Sequence, residues 1–281
     1  MITPDQVYEN IDVGYAAARR PDPRIHQLIV DALADANSVL NVGAGAGNYE
    51  PTDRRVVAVE PSSAMIAQRD TGAGPAVQRV AEALPFRDGT FDATLTTFTL
   101  HHWIEIAVGL REMRRLAGRQ VVLLFEPAES MKFWLVEYFL ECMSLPTEIG
   151  TPSVDYVREH LAVQTVTPVP VDCVDAFAGA YWGRPEAYLE PDVRASISSL
   201  ALLSPADAER GRSRCGRICG PGSGMTGSAT CEGCRSLILG IGWWLRGEVR
   251  STVGRFELPN PLLDEETLMD FAFTPEQAAL Q

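Results

Sequence analysis

Apolar runs and helix-period segments alternate along the first 171 residues of the chain. The apolar runs predict buried strands at 38–42, 55–60, 76–80, 91–97, 120–126 and 162–171. Between them, apolar residues recur at the helical period, from Ile25 to Leu33 and from Ile106 to Met113. Strands that alternate with helices at this spacing predict an α/β fold with a mostly parallel sheet, because helical crossovers join parallel neighbours.

A glycine-rich turn follows the first predicted strand. Gly43, Gly45 and Gly47 lack Cβ atoms, so the backbone there can adopt positive φ and approach a ligand closely. A helix expected after the turn would direct its N–H groups at the same place. The spacing differs from the G-x-G-x-x-G of dinucleotide-binding proteins, because Asn48 stands where the third glycine would be. A dinucleotide site and a purely structural turn both remain open on this motif alone.

The second predicted strand ends in a carboxylate at Glu60. An acidic side chain at the tip of this strand can accept hydrogen bonds from both hydroxyls of a ribose. A solvated strand end is the alternative interpretation. Ser62 or Ser63 is expected to cap the helix that follows.

The order and spacing of four segments resemble class I S-adenosylmethionine-dependent methyltransferases, in the small-molecule subgroup often called methyltransferase type 11. The resemblance spans residues 8–214, and the segments are Asn41–Gly47, Arg55–Glu60, Val80–Asp92 and Phe91–Trp103. It implies an α/β, Rossmann-like sheet with helices on both faces, a helical N-terminal segment and a helical cap. The boundaries expected are 1–20 for the N-terminal segment, 21–171 for the cofactor-binding core, 172–214 for the cap and 215–281 for a tail of anomalous composition.

The resemblance implies S-adenosyl-L-methionine as the cofactor and a small molecule as the methyl acceptor. The glycine turn is expected at its methionine and ribose, residues 62–82 around its adenine, and Arg19 or Arg20 near its carboxylate. Asn41 departs from the family pattern, in which an acidic residue is commoner. The residues expected to contact the cofactor are Tyr15, Arg19, Asn41, Gly43, Gly45, Gly47, Glu60, Ser62, Met65, Ala81, Glu82, Thr97 and Phe98.

Candidate chemistry beyond the cofactor lies in a histidine pair and an aromatic block. His101 and His102 follow the fourth predicted strand, where ligands of α/β proteins bind. His101 is the catalytic candidate, because an imidazole pKa near 6.5 suits proton removal from a hydroxyl. Pocket lining and structural packing are its alternatives. Segments 131–142 and 173–212 predict helices, and their aromatics form either an acceptor pocket or the core of the cap: Phe133, Trp134, Tyr181 and Trp182.

Charge and composition narrow the partners. A formal net charge of −13 opposes binding to a nucleic-acid backbone or an anionic membrane surface. No apolar stretch approaches the ~20 residues of a membrane helix, and the first residues lack the layout of a signal peptide. We therefore expect a cytoplasmic protein without nucleic-acid or membrane partners. Nothing in the composition indicates an oligomeric state.

The composition changes abruptly after Arg214. A zinc site is one interpretation of the four cysteines there, but the surrounding glycines favour no metal: Cys215, Cys219, Cys231 and Cys234. We instead hypothesise a reading-frame shift near residue 214, because the codons for residues 242–245, read one base earlier, encode an apolar strand. The hypothesis predicts that the last strand of the sheet is missing and that the tail is poorly ordered, and an intact-protein mass with a coding-DNA read tests it.

Two other functions stay open on the sequence. The damaged tail motivates a protein that binds the cofactor but is catalytically impaired. The glycine turn alone also permits a dinucleotide-dependent oxidoreductase.

Overall fold

The computed structural model describes residues 19–131, 133–161, 163–219 and 238–243. Its described strands form a seven-stranded sheet in the order β3-β2-β1-β4-β5-β7-β6. Neighbours from β3 to β5 are parallel, and β7 is antiparallel to both β5 and β6. The α/β, Rossmann-like expectation is confirmed. The strands are β1 Ser38–Val42, β2 Arg55–Val59, β3 Ala76–Val77, β4 Phe91–Thr97, β5 Ala117–Phe125, β6 Val163–Pro168 and β7 Ile238–Trp243.

Helices cover the sheet and build a separate layer of short elements. Three of them belong to the first half of the chain: α1 Pro23–Leu33, α2 Ser63–Ala67 and α3 Ile106–Leu116. The later helices are α4 Pro127–Ser130, α5 Leu135–Tyr138, α6 Pro146–Ile149, α7 Val154–Arg158, α8 Pro191–Ala195, α9 Ser198–Ala201 and α10 Pro205–Cys219. Short 3-10 helices lie at Leu100–His102, Leu140–Ser144 and Pro185–Leu189. We call residues 127–149 and 172–219 the cap. No helix in the described ranges has the length and apolar character needed to cross a bilayer.

Alternate residues of the central strands supply two separate cores. Val121 and Leu123 of β5 pack in the cluster that contains Ile29 of α1 and the cap. Val122 and Leu124 pack in the cluster that contains α3. Successive side chains of a strand point to opposite faces, so a continuous apolar run is buried only where both faces are covered. The apolar run at 120–126 thus matches a central strand.

No helix follows the glycine turn, which corrects the expectation of one there. Residues 43–54 form turns instead. Positive φ angles recur through this segment, at Gly43, Gly45, Gly47 and Tyr49. A right-handed helix needs negative φ at every residue, so this backbone cannot continue as one.

The closing strand of the sheet is present, so the expectation that it is missing is wrong. Residues 238–243 pair with β5 over Val121–Phe125 on one side and with β6 on the other. The helix α10 also continues through Arg214 to Cys219, across the expected start of the tail. Residues Ile238–Trp243, in the reading frame of the present sequence, form this strand. Residues 220–237 and 244–281 of the tail lie outside the described part of the chain.

The cap is less helical than its sequence pattern predicts. The helix expected over 131–142 is limited to α5 and the 3-10 helix at Leu140–Ser144. Residues 173–184 form turns and bends before the short helices begin. The short helices leave aromatic side chains to fill the cap interior, which sequence periodicity alone does not reveal.

A buried carboxylate ties the start of the described chain to the cap. Asp175 is fully buried and binds Arg19 through two hydrogen bonds, of 2.8 and 3.1 Å. The Tyr49 hydroxyl donates a third, of 2.9 Å. Burial and the neighbouring carboxylate raise the pKa of Tyr49, so its hydroxyl keeps the proton that it donates. The network joins segments from three distant parts of the sequence.

Truncation after Cys219 tests the contribution of β7. Removing the strand leaves both β5 and β6 with unpaired edges, and such edges promote association between chains. We expect the truncated protein to aggregate in size-exclusion chromatography with light scattering. A chain ending after Trp243 keeps the strand and is the matched control. Monodisperse behaviour and an unchanged melting temperature for the shorter chain would show that β7 adds no stability.

Substitution of Asp175 tests the buried network. Asp175→Ala leaves the buried Arg19 guanidinium without its carboxylate, and we expect a loss of about 3–5 kcal/mol in the free energy of unfolding. Tyr49→Phe removes one hydrogen bond and should cost about 1 kcal/mol. Asp172→Ala is the control, since its ion pair with Arg24 is exposed to solvent and contributes little to stability. Urea denaturation measures all three, and equal losses for Asp175 and Asp172 would contradict the assignment.

Candidate active site

Glu60 holds the glycine turn to the start of α2. One of its carboxylate oxygens accepts from the Gly45 N–H at 2.8 Å, and the other from the Ser62 N–H at 2.9 Å. The Ser62 hydroxyl in turn accepts from the Met65 N–H and caps α2, as the sequence predicts. Each carboxylate oxygen can accept more than one hydrogen bond. The carboxylate therefore fixes the turn against the start of α2.

The turn comes close to its neighbours on one side and is open on the other. Gly43 has a φ of +68°, and a Cβ there would lie 2.5 Å from the Thr99 hydroxyl oxygen. Gly45 has a φ of +53°, and a Cβ there would meet no atom within 4 Å. The first glycine is required by packing, whereas the second borders open space. That space leaves room for a ligand to approach the backbone.

A cleft opens beside the turn, and we call it the turn cleft. It brings together ten of the thirteen residues that the sequence assigns to the cofactor. These are Arg19, Gly43, Gly45, Glu60, Ser62, Met65, Ala81, Glu82, Thr97 and Phe98. Further lining comes from the residues after β4, including Thr99, His102, Trp103 and Ile104.

Three predicted cofactor residues do not line the turn cleft in the described structure. Tyr15 lies outside the described residues. Asn41 is fully buried, and its amide donates to Glu50 at 2.9 Å. Gly47 lies beside Arg69, whose guanidinium pairs with Glu50. Asn41 and Gly47 thus contact the ion pair behind the turn rather than the cleft.

The remaining charged side chains of the turn cleft are held by protein partners. Arg19 lines the cleft while its guanidinium binds Asp175. Glu82 accepts from the Ile104 and Glu105 N–H groups at 2.8 and 3.0 Å, which fixes the approach to α3. Both side chains are therefore positioned before any ligand binds.

A second cavity, which we call the apolar cavity, meets the turn cleft at three shared residues. Arg19, Phe98 and His102 line both spaces. Most of the other wall is apolar and comes from β5 and the cap. It includes Phe125, Phe133, Leu135, Val136, Phe139, Phe177, Ile197 and Leu200.

Phe98 forms the boundary between the two spaces. It has a φ of +52°, which is uncommon for a side chain of this size. Its ring stacks on Phe125 with centroids 4.5 Å apart and packs against Phe177 at 5.1 Å. Such strain persists only where the surrounding contacts hold it, and it clusters at functional sites.

The two histidines lie at this boundary in low-dielectric surroundings. Their ring centroids are 3.8 Å apart, and His101 lines the apolar cavity. Burial lowers the pKa of His101 to about 4, and burial together with His101 lowers that of His102. Both imidazoles are therefore neutral at pH 7.

Of the aromatic block singled out by the sequence, Phe133 lines the apolar cavity. The indole N–H of Trp134 donates to the Trp182 carbonyl at 3.0 Å, and that of Trp182 to the Val169 carbonyl at 2.9 Å. Tyr181 packs against Tyr188 at a centroid distance of 5.8 Å. These three side chains serve the core of the cap.

Sequence reasoning missed three residues that shape the site. Thr99 packs against Gly43 and lies within the segment Phe91–Trp103, one of the four that carry the family resemblance. Asp175 anchors Arg19, and its only sequence signal is a lone carboxylate in the apolar run 173–177. Glu148 lines the apolar cavity from α6, and no motif marks it.

No described group of three or more His, Cys, Asp or Glu side chains is arranged to hold a metal ion. Cys215 is buried on α10. Cys231 and Cys234, which the zinc interpretation needs, lie outside the described residues.

Several known proteins similar to this chain are named as methyltransferases. Residues 40–125 match the family described as a methyltransferase domain. A demethylmenaquinone methyltransferase of Mycolicibacterium gilvum is 31% identical over 135 residues, covering 44% of this chain and 59% of that protein. The C-methyltransferase UbiE of ubiquinone/menaquinone biosynthesis from Geotalea uraniireducens is 28% identical over 131 residues, covering 40% and 56%. The chain spans just over half the length of these curated relatives.

A solved structure extends the likeness beyond that domain. A putative methyltransferase from an antibiotic biosynthesis pathway of Anabaena variabilis matches with a TM-score of 0.72 and 26% identity. The match covers 81% of this chain and 98% of that one. The shared architecture therefore reaches well outside residues 40–125.

Glu60→Gln tests the turn cleft as a nucleoside site. The amide keeps the size of the side chain but removes the charge and one acceptor oxygen, so each lost hydrogen bond to a charged group should cost about 1.5–3 kcal/mol. We expect the Kd for S-adenosylhomocysteine in isothermal titration to rise at least about tenfold. Glu159→Gln, on the exposed surface after α7, is the matched control. Equal affinity in both variants would remove Glu60 from the binding site.

Proposed function

We propose that this chain, whose core belongs to the class I S-adenosylmethionine-dependent methyltransferases, transfers a methyl group from that cofactor to a small-molecule acceptor. The junction of the two spaces at Phe98 carries the proposal. One space is bordered by an open glycine turn and a carboxylate, which suit a nucleoside. The other is apolar and adjoins it directly, which suits an acceptor.

The residues of the turn cleft fit the proposed cofactor. The carboxylate of Glu60 would accept from the ribose hydroxyls, and Gly45 leaves room for the ribose against the backbone. Met65 and Ala81 would flank the adenine, and Arg19 would lie toward the carboxylate end. The cofactor would supply a methyl group on a sulfonium, and the sulfur would leave as a neutral thioether when an acceptor atom attacks the methyl carbon. The chain's own task is to orient both reactants and to exclude water.

His101 is the catalytic residue of the proposed site. Its ring lies in the wall of the apolar cavity beside the shared residue His102. A neutral imidazole has one donor and one acceptor nitrogen. It would therefore hydrogen-bond the acceptor group and orient it toward the turn cleft. Asn41 and Gly47 are proposed to act indirectly, by holding the turn through the Glu50–Arg69 ion pair.

Charge and thiol chemistry support the proposed partners and location. A net charge of −13 favours a small acceptor over a nucleic acid. Cys142 and Cys173 are buried free thiols in the described structure. Such thiols are typical of a reducing compartment, which supports the cytoplasm.

Two measurements on the same preparation test the proposal. Isothermal titration should show S-adenosylhomocysteine binding and no response to NAD. Methyl transfer from labelled S-adenosylmethionine to phenols, quinols and amines should then give a labelled product. Folded protein that fails to bind S-adenosylhomocysteine would refute the proposal. Binding without transfer to any acceptor class would instead support the impaired protein that the sequence left open.

A further inference from the structure

Glu148 places a carboxyl group in the apolar cavity. It lies on the short helix α6 and lines the same wall as His101 and His102. No hydrogen bond or ion pair links its carboxylate to another described side chain. The other titratable lining groups are Arg19, which binds Asp175, and the buried thiol of Cys142.

Helix α6 places Glu148 near the 3-10 helix Leu100–His102, which carries His101. A Cβ at Gly150, two residues beyond Glu148, would lie 3.9 Å from the His101 carbonyl oxygen. The end of α6 therefore packs on the 3-10 helix Leu100–His102. A molecule that fills the apolar cavity next to Phe98 would be surrounded by a wall that contains the side chains of both Glu148 and His101.

Resting on the function proposed above, we infer that Glu148 is a second catalytic residue, which accepts the hydroxyl proton of an uncharged, apolar ring acceptor. In this step the acceptor O–H bond breaks, a new O–H bond forms on the carboxylate, and the electron pair stays on the acceptor. That pair makes the acceptor nucleophilic toward the turn cleft. The proton then leaves Glu148 to solvent.

The cavity wall supports this acceptor class. Its aromatic and aliphatic side chains favour a ring, and the single arginine in the wall is already paired with Asp175. An acceptor with a phosphate or sulfonate would meet the Glu148 carboxylate without a cation to offset the repulsion. A hydroxyl instead supplies the donor that an unpaired carboxylate lacks.

Burial also favours Glu148 over His101 as the base. It disfavours the charged form of each group, so it raises the pKa of Glu148 and lowers that of His101 to about 4. A carboxylate with a raised pKa holds a proton better, whereas His101 holds one more weakly. His101 is then suited to orienting the acceptor, and Glu148 to receiving its proton.

Binding of 2-naphthol to the full chain saturated with S-adenosylhomocysteine tests the inference. We expect 2-naphthol to bind at least about tenfold more tightly than 2-methylnaphthalene, which has the same shape without the hydroxyl. The anionic 2-naphthoate should bind more weakly than 2-naphthol. The advantage of 2-naphthol should disappear as pH falls through the raised pKa of Glu148, because the protonated carboxyl loses its charge.

Glu148→Gln should abolish both the tenfold advantage and its pH dependence while leaving S-adenosylhomocysteine affinity unchanged. It should also slow methyl transfer to 2-naphthol about 100-fold, within the range of general acid–base catalysis. Glu137→Gln removes the same charge from an exposed cap position and should match the unmodified protein. Glu148→Asp should recover part of the rate, which distinguishes a chemical role from packing.

Several results would overturn the inference. Equal affinities for 2-naphthol and 2-methylnaphthalene, or an unchanged rate in Glu148→Gln, would remove Glu148 from proton transfer. An acid limb of the rate profile near pH 4 that persists in Glu148→Gln would assign the base to His101. Protein that binds S-adenosylhomocysteine but fails to methylate 2-naphthol would refute the acceptor class. Protein that binds neither ligand would instead refute the function on which the inference rests.

Discussion

The site depends on the two hydrogen bonds that the Glu60 carboxylate accepts from backbone N–H groups. They join the turn after β1 to the start of α2, at the carboxyl ends of adjacent parallel strands. The direction in which successive strands join the sheet reverses at β1, since β2 and β4 lie on opposite sides of it. Ligands of open α/β sheets bind at such a reversal, because the loops diverge there and leave a crevice. Glu60 holds one wall of that crevice in place.

The second wall and the acceptor side depend on contacts between distant segments. Phe98 adopts its strained backbone conformation among Phe125 of β5 and Phe177 of the cap. The Arg19 guanidinium lies over the Phe98 ring, and the buried Asp175 carboxylate balances its charge there. The cap therefore closes the apolar cavity and also fixes residues that line the turn cleft. Changes in the cap should therefore alter both the apolar cavity and the turn cleft.

Burial shifts the pKa values of His101 and Glu148 in opposite directions. The same burial that keeps His101 neutral makes Glu148 a better proton acceptor. A reaction that removes a positive charge from the cofactor side benefits from a dry pocket without fixed cations. Among the described lining residues, the paired state of Arg19 meets that requirement. The electrostatics of the cavity thus agree with its apolar walls.

Local pattern was sufficient for the sheet core and most of the turn cleft. Apolar runs and short-range motifs predict the strands from β1 to β5, the helix N-cap residue Ser62 and the position of Glu60. Burial on both faces of a parallel sheet imposes that pattern directly on the sequence. The turn after β1 was less predictable, because only the tertiary structure shows that its positive φ angles exclude a helix.

The sequence by itself determined the fold class and the residues at the strand ends, since local spacing controls both. Tertiary structure alone decided how the cap, the closing strand and the buried charges meet. Asp175 comes to Arg19 across 156 positions, and β7 enters between β5 and β6 from a segment whose composition suggested damage. The Asn41 amide likewise donates to Glu50 and does not line the turn cleft. Such contacts depend on packing between segments far apart in the chain, and no local pattern encodes them.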